Sequence, residues 1–342
     1  MNSSQCDQLT SIQPNPVLGL AYICHVSIYI PIYLICLIAM CQEPLRSKAC
    51  YQIMIAIGFS DISMLLMHYV AGFWCIRATS YCSLWSYMKI GGAFMNGNWV
   101  FYCALCVLLA GNRLKHSSSI VSATLHQQSN TVLWIGACAL LGIGYALVFL
   151  SPFCTLIFHS GIGLWIFDPD SDMKVGLAAL FGTNSLFCVL MTSLYGMVVV
   201  RIKSVASLVQ AGAAMSSSER SMYTQSLFVC LLATSLSVAY ITVPLLTTQP
   251  AAFVAVALYC QFVQGSNPVI YLSLNQSVRR QVRKWLCSSL SVAPTTTNHH
   301  QLSGGVQPLV PKPAIPNAPN QPLVPKPAIP NTPNQFMRTG HM

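Results

Sequence analysis

Polar residues are scarce in this chain, and the few inside its long apolar runs are the ones to ask for chemistry. Asp61, in Gly58-Phe59-Ser60-Asp61-Ile62, is the only carboxylate inside any of those runs. An ionisable group near mid-membrane costs about 2.5–3.5 kcal/mol even on insertion scales, so it is expected to face other helices or a water-filled space and to serve function. His68 follows seven residues on, two turns along the same helical face. A second set closes three other runs: Asn112-Arg113, Tyr195, and Asn267-Pro268-Val269-Ile270-Tyr271. Pro268 removes a backbone donor and bends its helix, a defect that hydrocarbon tolerates where neighbouring helices re-satisfy the backbone. These residues suit a moving part rather than a reaction. His25, His68, His116, His126 and His159 are scattered over different depths, unlike the clustered ligands of a zinc hydrolase. No cofactor is implied and no enzyme activity is expected.

Composition supplies the elements that must hold these side chains. Of 342 residues, 54% are apolar and 7% charged, far below the quarter or so of charged residues usual in soluble domains. The chain reads as an all-α membrane protein. Seven apolar runs, near 17–41, 51–75, 86–112, 131–155, 174–200, 221–246 and 250–273, are each long enough to cross a bilayer. Pro250 closely follows the sixth run, and Thr247-Thr248-Gln249-Pro250 reads as a tight turn between two spans. The formal charge of +10 is unevenly spread rather than patched for nucleic acid. Fourteen of 17 basic residues fall on one side of this layout, leaving Arg77, Lys89 and Lys174 on the other. By the positive-inside bias the amino terminus is outside and the carboxyl terminus cytoplasmic.

The ends and loops add local expectations. Residues 1–16 form a polar outer segment in which Asn2-Ser3-Ser4 marks a glycosylation acceptor. No cleavable signal peptide is evident, so the first span is expected to act as signal anchor. Most of the 15 cysteines lie within spans as small apolar residues. A Cys82–Cys154 bridge would tie an outer loop to the third span in an oxidising compartment, with Cys75 and Cys6 as other possible partners. Candidate pocket residues in the outer third of the spans are His68, Tyr69, Phe73, Trp85, Asn96, Trp165, Asn184, Tyr240 and Tyr259. Residues 274–287 read as a basic amphipathic helix on anionic lipid, with Cys287 a palmitoylation candidate. Residues 288–342 are Pro-rich and are expected to be a disordered tail. They hold a tandem repeat, 307–320 and 321–334, that differs only at Ala318 and Thr332.

Taken in order, an outer amino terminus, a carboxylate in the second span, an arginine closing the third, a tyrosine closing the fifth and Asn-Pro-x-x-Tyr closing the seventh resemble the rhodopsin-like G-protein-coupled receptors. The chain is more closely similar to the nematode serpentine receptor class T chemoreceptors. That likeness is carried by Cys50-Tyr51-Gln52-Ile53-Met54, Ile57 to Ile62, Leu108-Leu109-Ala110-Gly111-Asn112-Arg113, Trp165-Ile166-Phe167-Asp168-Pro169, Gln225-Ser226-Leu227-Phe228-Val229-Cys230, and Gly265 to Arg280. The resemblance implies a seven-helix bundle that binds an extracellular small molecule or peptide in its outer half. It also implies that Arg113, Tyr195 and Tyr271 rearrange to admit a heterotrimeric G protein at the inner face. It implies a plasma-membrane location, in sensory neurons the ciliary membrane. Departures are visible. Asn112 replaces the acid that usually locks the arginine, Leu114 stands where the class T family has Cys, and the sixth span lacks Trp. The rival reading is a membrane transporter or channel. It would predict inverted repeats with broken helices in matching positions, and neither is visible.

Overall fold

The computed structural model describes residues 13–80, 83–119, 130–168, 171–209 and 217–290. Asn2, Cys82, the repeats and the rest of the tail lie outside these residues. Seven helices are long and apolar enough to span a membrane: α1 Pro16–Met40, α2 Ala49–Arg77, α3 Trp85–Ser119, α4 Thr131–Leu150, α5 Met173–Val209, α6 Ser217–Leu246 and α7 Pro250–Leu274. An eighth helix, α8 Gln276–Leu290, follows, and a two-stranded hairpin, β1 Leu156–His159 with β2 Leu164–Phe167, joins α4 to α5. The fold is thus the expected seven-helix bundle with an amphipathic eighth helix. One end of it carries the hairpin and the other α8.

Local chemistry sets the helix ends. Pro16 starts α1, and Asn15 Oδ1 accepts from the Leu18 amide at 3.2 Å, a side-chain cap on an otherwise orphan donor. Pro250 starts α7 in the same way, after Thr247 Oγ1 accepts from the Gln249 amide at 3.1 Å. The fourth span stops earlier than the sequence suggests, at Leu150 rather than near 155. Ser151 is extended (ψ 162°) because it precedes Pro152, and a pre-proline residue is driven out of the helical region. Cys154 therefore sits in the loop. It is a free thiol, fully buried, and burial pushes it up to about 11, so it stays protonated at neutral pH.

Close backbone approach fixes how the helices meet. A Cβ on Gly97 would lie 2.6 Å from the Gly142 carbonyl oxygen, and one on Gly142 would lie 2.7 Å from that of Gly97, so α3 and α4 cross at a contact only glycine allows. Helix α3 is the axis of the bundle, with 67% of its membrane window buried against 11% for α4. The exposed apolar side chains of α4, such as Leu133, Trp134, Leu140 and Leu147, suit lipid.

Sequence reading gave the α4–α5 connection as a plain loop. It is an antiparallel hairpin, Leu156 opposite Phe167 and His159 opposite Leu164, turning through Gly163 at φ +69°. The hairpin lies on α3, where Gly92 abuts the Leu156 carbonyl. It is tied down by Tyr22 Oη donating to Gly163 O (2.8 Å), Ser160 Oγ to Thr79 O (2.8 Å) and Asn15 Nδ2 to Gly161 O (3.3 Å).

Candidate functional site

A polar axis runs through this apolar bundle, and the residues singled out in the sequence fall along it. At its centre Asp61 on α2 is fully buried. Its Oδ2 accepts from Tyr33 Oη on α1 and from Asn267 Nδ2 on α7 at 2.8 Å, while Asn267 Nδ2 also donates to Tyr102 Oη on α3 at 3.3 Å. Four helices thus converge on one carboxylate. Ser60 and Asn98 add a second α2–α3 tie, Asn98 Nδ2 donating to Ser60 O at 2.8 Å. Tyr271, one turn beyond Asn267, is fully buried with its hydroxyl unpaired. Cys36 Sγ donates to the Pro268 carbonyl at 3.6 Å, beside the bend.

At the α8 end, Arg113 is 4% exposed, which excludes simple snorkelling to water. Its Nε donates to Ser226 Oγ on α6 at 3.1 Å, its Nη2 donates to Cys50 Sγ on α2, and its guanidinium lies 5.9 Å from the Tyr223 ring centre. A thiol, a hydroxyl and an aromatic ring hold this cation. Asn112 beside it is half-buried, and Tyr195 on α5 is buried nearby in the same core. A second knot ties α6 to the α7–α8 joint. Asn275 Nδ2 donates to Gln225 Oε1 at 2.9 Å, and Asn275 Oδ1 accepts from Tyr51 Oη at 3.1 Å and from the Ser277 and Val278 amides that open α8. Ser221 Oγ donates to the Leu274 carbonyl. Along α8, Arg279, Arg280, Arg283 and Lys284 are exposed while Val278 is buried, and Cys287 is an exposed free thiol.

The candidate pocket residues at the hairpin end divide. Asn184 is buried and its Oδ1 accepts from Trp99 Nε1 at 3.1 Å. Trp99 stacks on Tyr102 at 5.6 Å and meets Tyr240 edge-on at 5.6 Å, which links α3, α5 and α6. His68 is buried against Tyr22, and Trp165 of the hairpin packs on Trp74, Phe158 and Gly91. Asn96 turns back on its own helix, Nδ2 to Gly92 O at 2.9 Å. Trp85 Nε1 donates to Asp168 Oδ2 at 3.1 Å, beside the loop rather than within the bundle. Phe73 is exposed with Tyr69 against it, whereas Tyr69 and Tyr259 are half-buried at the edge of the core, Tyr259 bonding the exposed Ser235 at 2.7 Å.

With this geometry in hand, comparison with known proteins is decisive for family. The family model described as serpentine type 7TM GPCR chemoreceptor Srt matches residues 2–294. The chain belongs to the Srt family. No curated protein matches it. The crystal structure of squid rhodopsin superposes with a TM-score of 0.63 at 13% identity, covering 80% of the Srt chain and 86% of that chain, a likeness of fold alone. The resemblance read from the sequence motifs is borne out at both levels, family and rhodopsin-like fold.

Several members of the Srt chain's axis were missed by sequence reading. Tyr33, Cys50, Trp99, Tyr102, Ser226 and Asn275 all bond or stack with an expected site residue or its neighbours. Asn275 lies four residues after Tyr271, one turn on, and that spacing was the available signal.

Proposed function

We propose that this Srt chain is a G-protein-coupled chemosensory receptor. Its hairpin end faces outside and binds the ligand, and its α8 end faces the cytoplasm and receives a heterotrimeric G protein. The observation that carries the reading is the double closure of α6: Ser226 holds Arg113, and Gln225 holds the α7–α8 joint through Asn275. Releasing those bonds would free α6 to swing outward and open a groove for a helix of the partner, a helix-in-groove mode. Asp61, Asn267 and Tyr271 sit between that closure and the hairpin end, where a ligand's effect would pass. The basic α8 supports a cytoplasmic placement at the plasma membrane against anionic lipid.

A ligand drives such a switch only through its differential affinity for the active state, and a swing from 1:99 to 99:1 takes about 5.5 kcal/mol of it. The test is expression with a promiscuous G-protein reporter, an odorant panel, and the variants Arg113→Ala and Tyr271→Ala with surface expression measured in parallel. Ligand-driven signal should disappear in both while the proteins still reach the surface. Retained signalling in both would overturn these roles, and ligand-independent solute flux in vesicles would favour a transporter.

A further inference from the structure

We infer a ligand subsite in the corner between α1, α2 and α7 beneath the hairpin turn, shaped for an uncharged, mainly hydrocarbon molecule that carries a hydroxyl group. It rests on the receptor reading above and names the chemistry of the ligand. Gln261 and Gln264 lie three residues apart on one face of α7, both essentially inaccessible. Each amide uses only one of its ends. Gln261 Oε1 is 3.3 Å from His25 Nδ1 on α1, and Gln261 Nε2, a donor, is unpaired. Gln264 Nε2 donates to Cys260 Sγ at 3.4 Å, and Gln264 Oε1, an acceptor, is unpaired. Across from them His68 on α2 is 4% exposed, meets the Tyr22 ring edge-on at 5.9 Å, and leaves Nε2 unpaired.

Tyr22 and His25 share one face of α1, which joins the α2 side of the corner to the α7 side. The bond from Tyr22 Oη to Gly163 O roofs it with the hairpin turn. Buried polar atoms without partners are uncommon in native proteins, because each has given up water for nothing. Here a donor and an acceptor three residues apart on one stripe of α7 are both unpaired, and a hydroxyl answers both: its oxygen accepts from Gln261 and, on its other lone pair, from His68 Nε2–H, and its proton goes to Gln264. A carbonyl group answers only the first. The ligand must also be neutral. Helices α1 and α7 carry no charged residue, and α2 carries only exposed Arg77 at its end and, two turns from His68, Asp61, whose Oδ2 is shared by Tyr33 and Asn267 and whose Oδ1 is unpaired. An ammonium or carboxylate in this corner would be buried unpaired. The unpaired atoms have no accessible surface, so the corner is closed in this structure. A ligand that parts α1 from α7 there favours a different state of the bundle.

The experiment uses the full-length receptor purified into nanodiscs, melted alone and with n-octanol, methyl hexyl ketone, n-octane, n-octylamine or octanoate. The melting temperature should rise most with n-octanol, less with the ketone, and not with the other three. Gln264→Leu and His68→Phe should each weaken the apparent affinity for n-octanol about fivefold, the worth of one neutral hydrogen bond. Ligand-free, His68→Phe should melt at or above wild type, because it removes an unpaired polar atom, and Gln264→Leu close to wild type, because it removes the unpaired Oε1 together with the weak bond to Cys260 Sγ. Equal shifts from octane and octanol, binding of a charged member, no shift with any member, or an unchanged octanol shift in both variants would overturn the subsite. So would lower ligand-free melting in both variants, which would make these groups structural holders of water. Receptor signalling that needs Arg113 and Tyr271 but fails this test would remove the subsite and leave the receptor reading. Octanol binding without any signalling would do the reverse.

Discussion

Asp61 shows how a membrane bundle keeps a carboxyl group in its middle without a basic partner. Two donors, Tyr33 Oη and Asn267 Nδ2, converge on one oxygen, and Tyr102 shares the second of them. A hydrogen bond to such a group is worth about 1–3 kcal/mol, and an orphaned buried partner loses a similar amount. Tyr33→Phe keeps the ring, which is fully buried, and deletes only the hydroxyl. It should lower the stability of the ligand-free receptor by about 1–3 kcal/mol, read as an earlier thermal melt in nanodiscs. An unchanged melt would mean that Asn267 alone suffices for the carboxylate. Asp61 and Asn267 were legible in the sequence because polar residues are rare in apolar runs. Tyr33 was not, being one of 14 tyrosines with nothing in its neighbours to mark it.

At the scale of elements, the piece proposed to move is α6, and its restraint is one bond from a cation and two neutral ones. Ser226 to Arg113, Gln225 to Asn275 and Ser221 to the Leu274 carbonyl join it to α3 and to the α7–α8 joint. Neutral bonds of this kind contribute about 1 kcal/mol each, so losing one should raise the open population about fivefold. Asn275→Ala removes the Gln225 and Tyr51 bonds together with the cap of α8. Ligand-independent signalling should rise about tenfold or more at equal surface expression, and Gln225→Leu should give a smaller rise. The double variant should add little to Asn275→Ala, because both substitutions break the same bond; full additivity would show that the two side chains act separately. Gln225 and Asn275 each lie within a recognisable segment of the sequence, but that they bond to each other could be found only once the chain was folded. The hairpin was missed for a different reason. Strands of four residues are too short to show alternation, and Leu156 to His159 lies just past the expected end of the fourth span, where the sequence reads as loop.

For the whole molecule, span count and order were readable because hydrocarbon demands long apolar helices, and the observed boundaries depart from the expected ones most where α3 and α5 run on to Ser119 and Val209 and where Pro152 ends α4 early. Which helix faces touch was not readable. It depends on contacts such as Gly97 on Gly142 that no single run of sequence announces. Orientation rests on charge. The loop between α1 and α2 carries Arg46 and Lys48, and α8 exposes Arg279, Arg280, Arg283 and Lys284, all at one end of the bundle; Arg77, Lys89 and Lys174 are at the other. Each basic residue near an anionic leaflet is worth about 1 kcal/mol, so the surplus at the α8 end amounts to several kcal/mol in favour of keeping that end in the cytoplasm. Arg113 adds nothing to this sum because its guanidinium is buried. An epitope fused ahead of Met1 should therefore bind antibody on intact cells, and one fused after Met342 only on permeabilised cells. Substituting Glu at Arg279, Arg280, Arg283 and Lys284 together should lower the fraction with this orientation, since it reverses the largest basic cluster among the described residues. The opposite labelling pattern in the unaltered chain would put the hairpin in the cytoplasm and dismantle the receptor reading at its root.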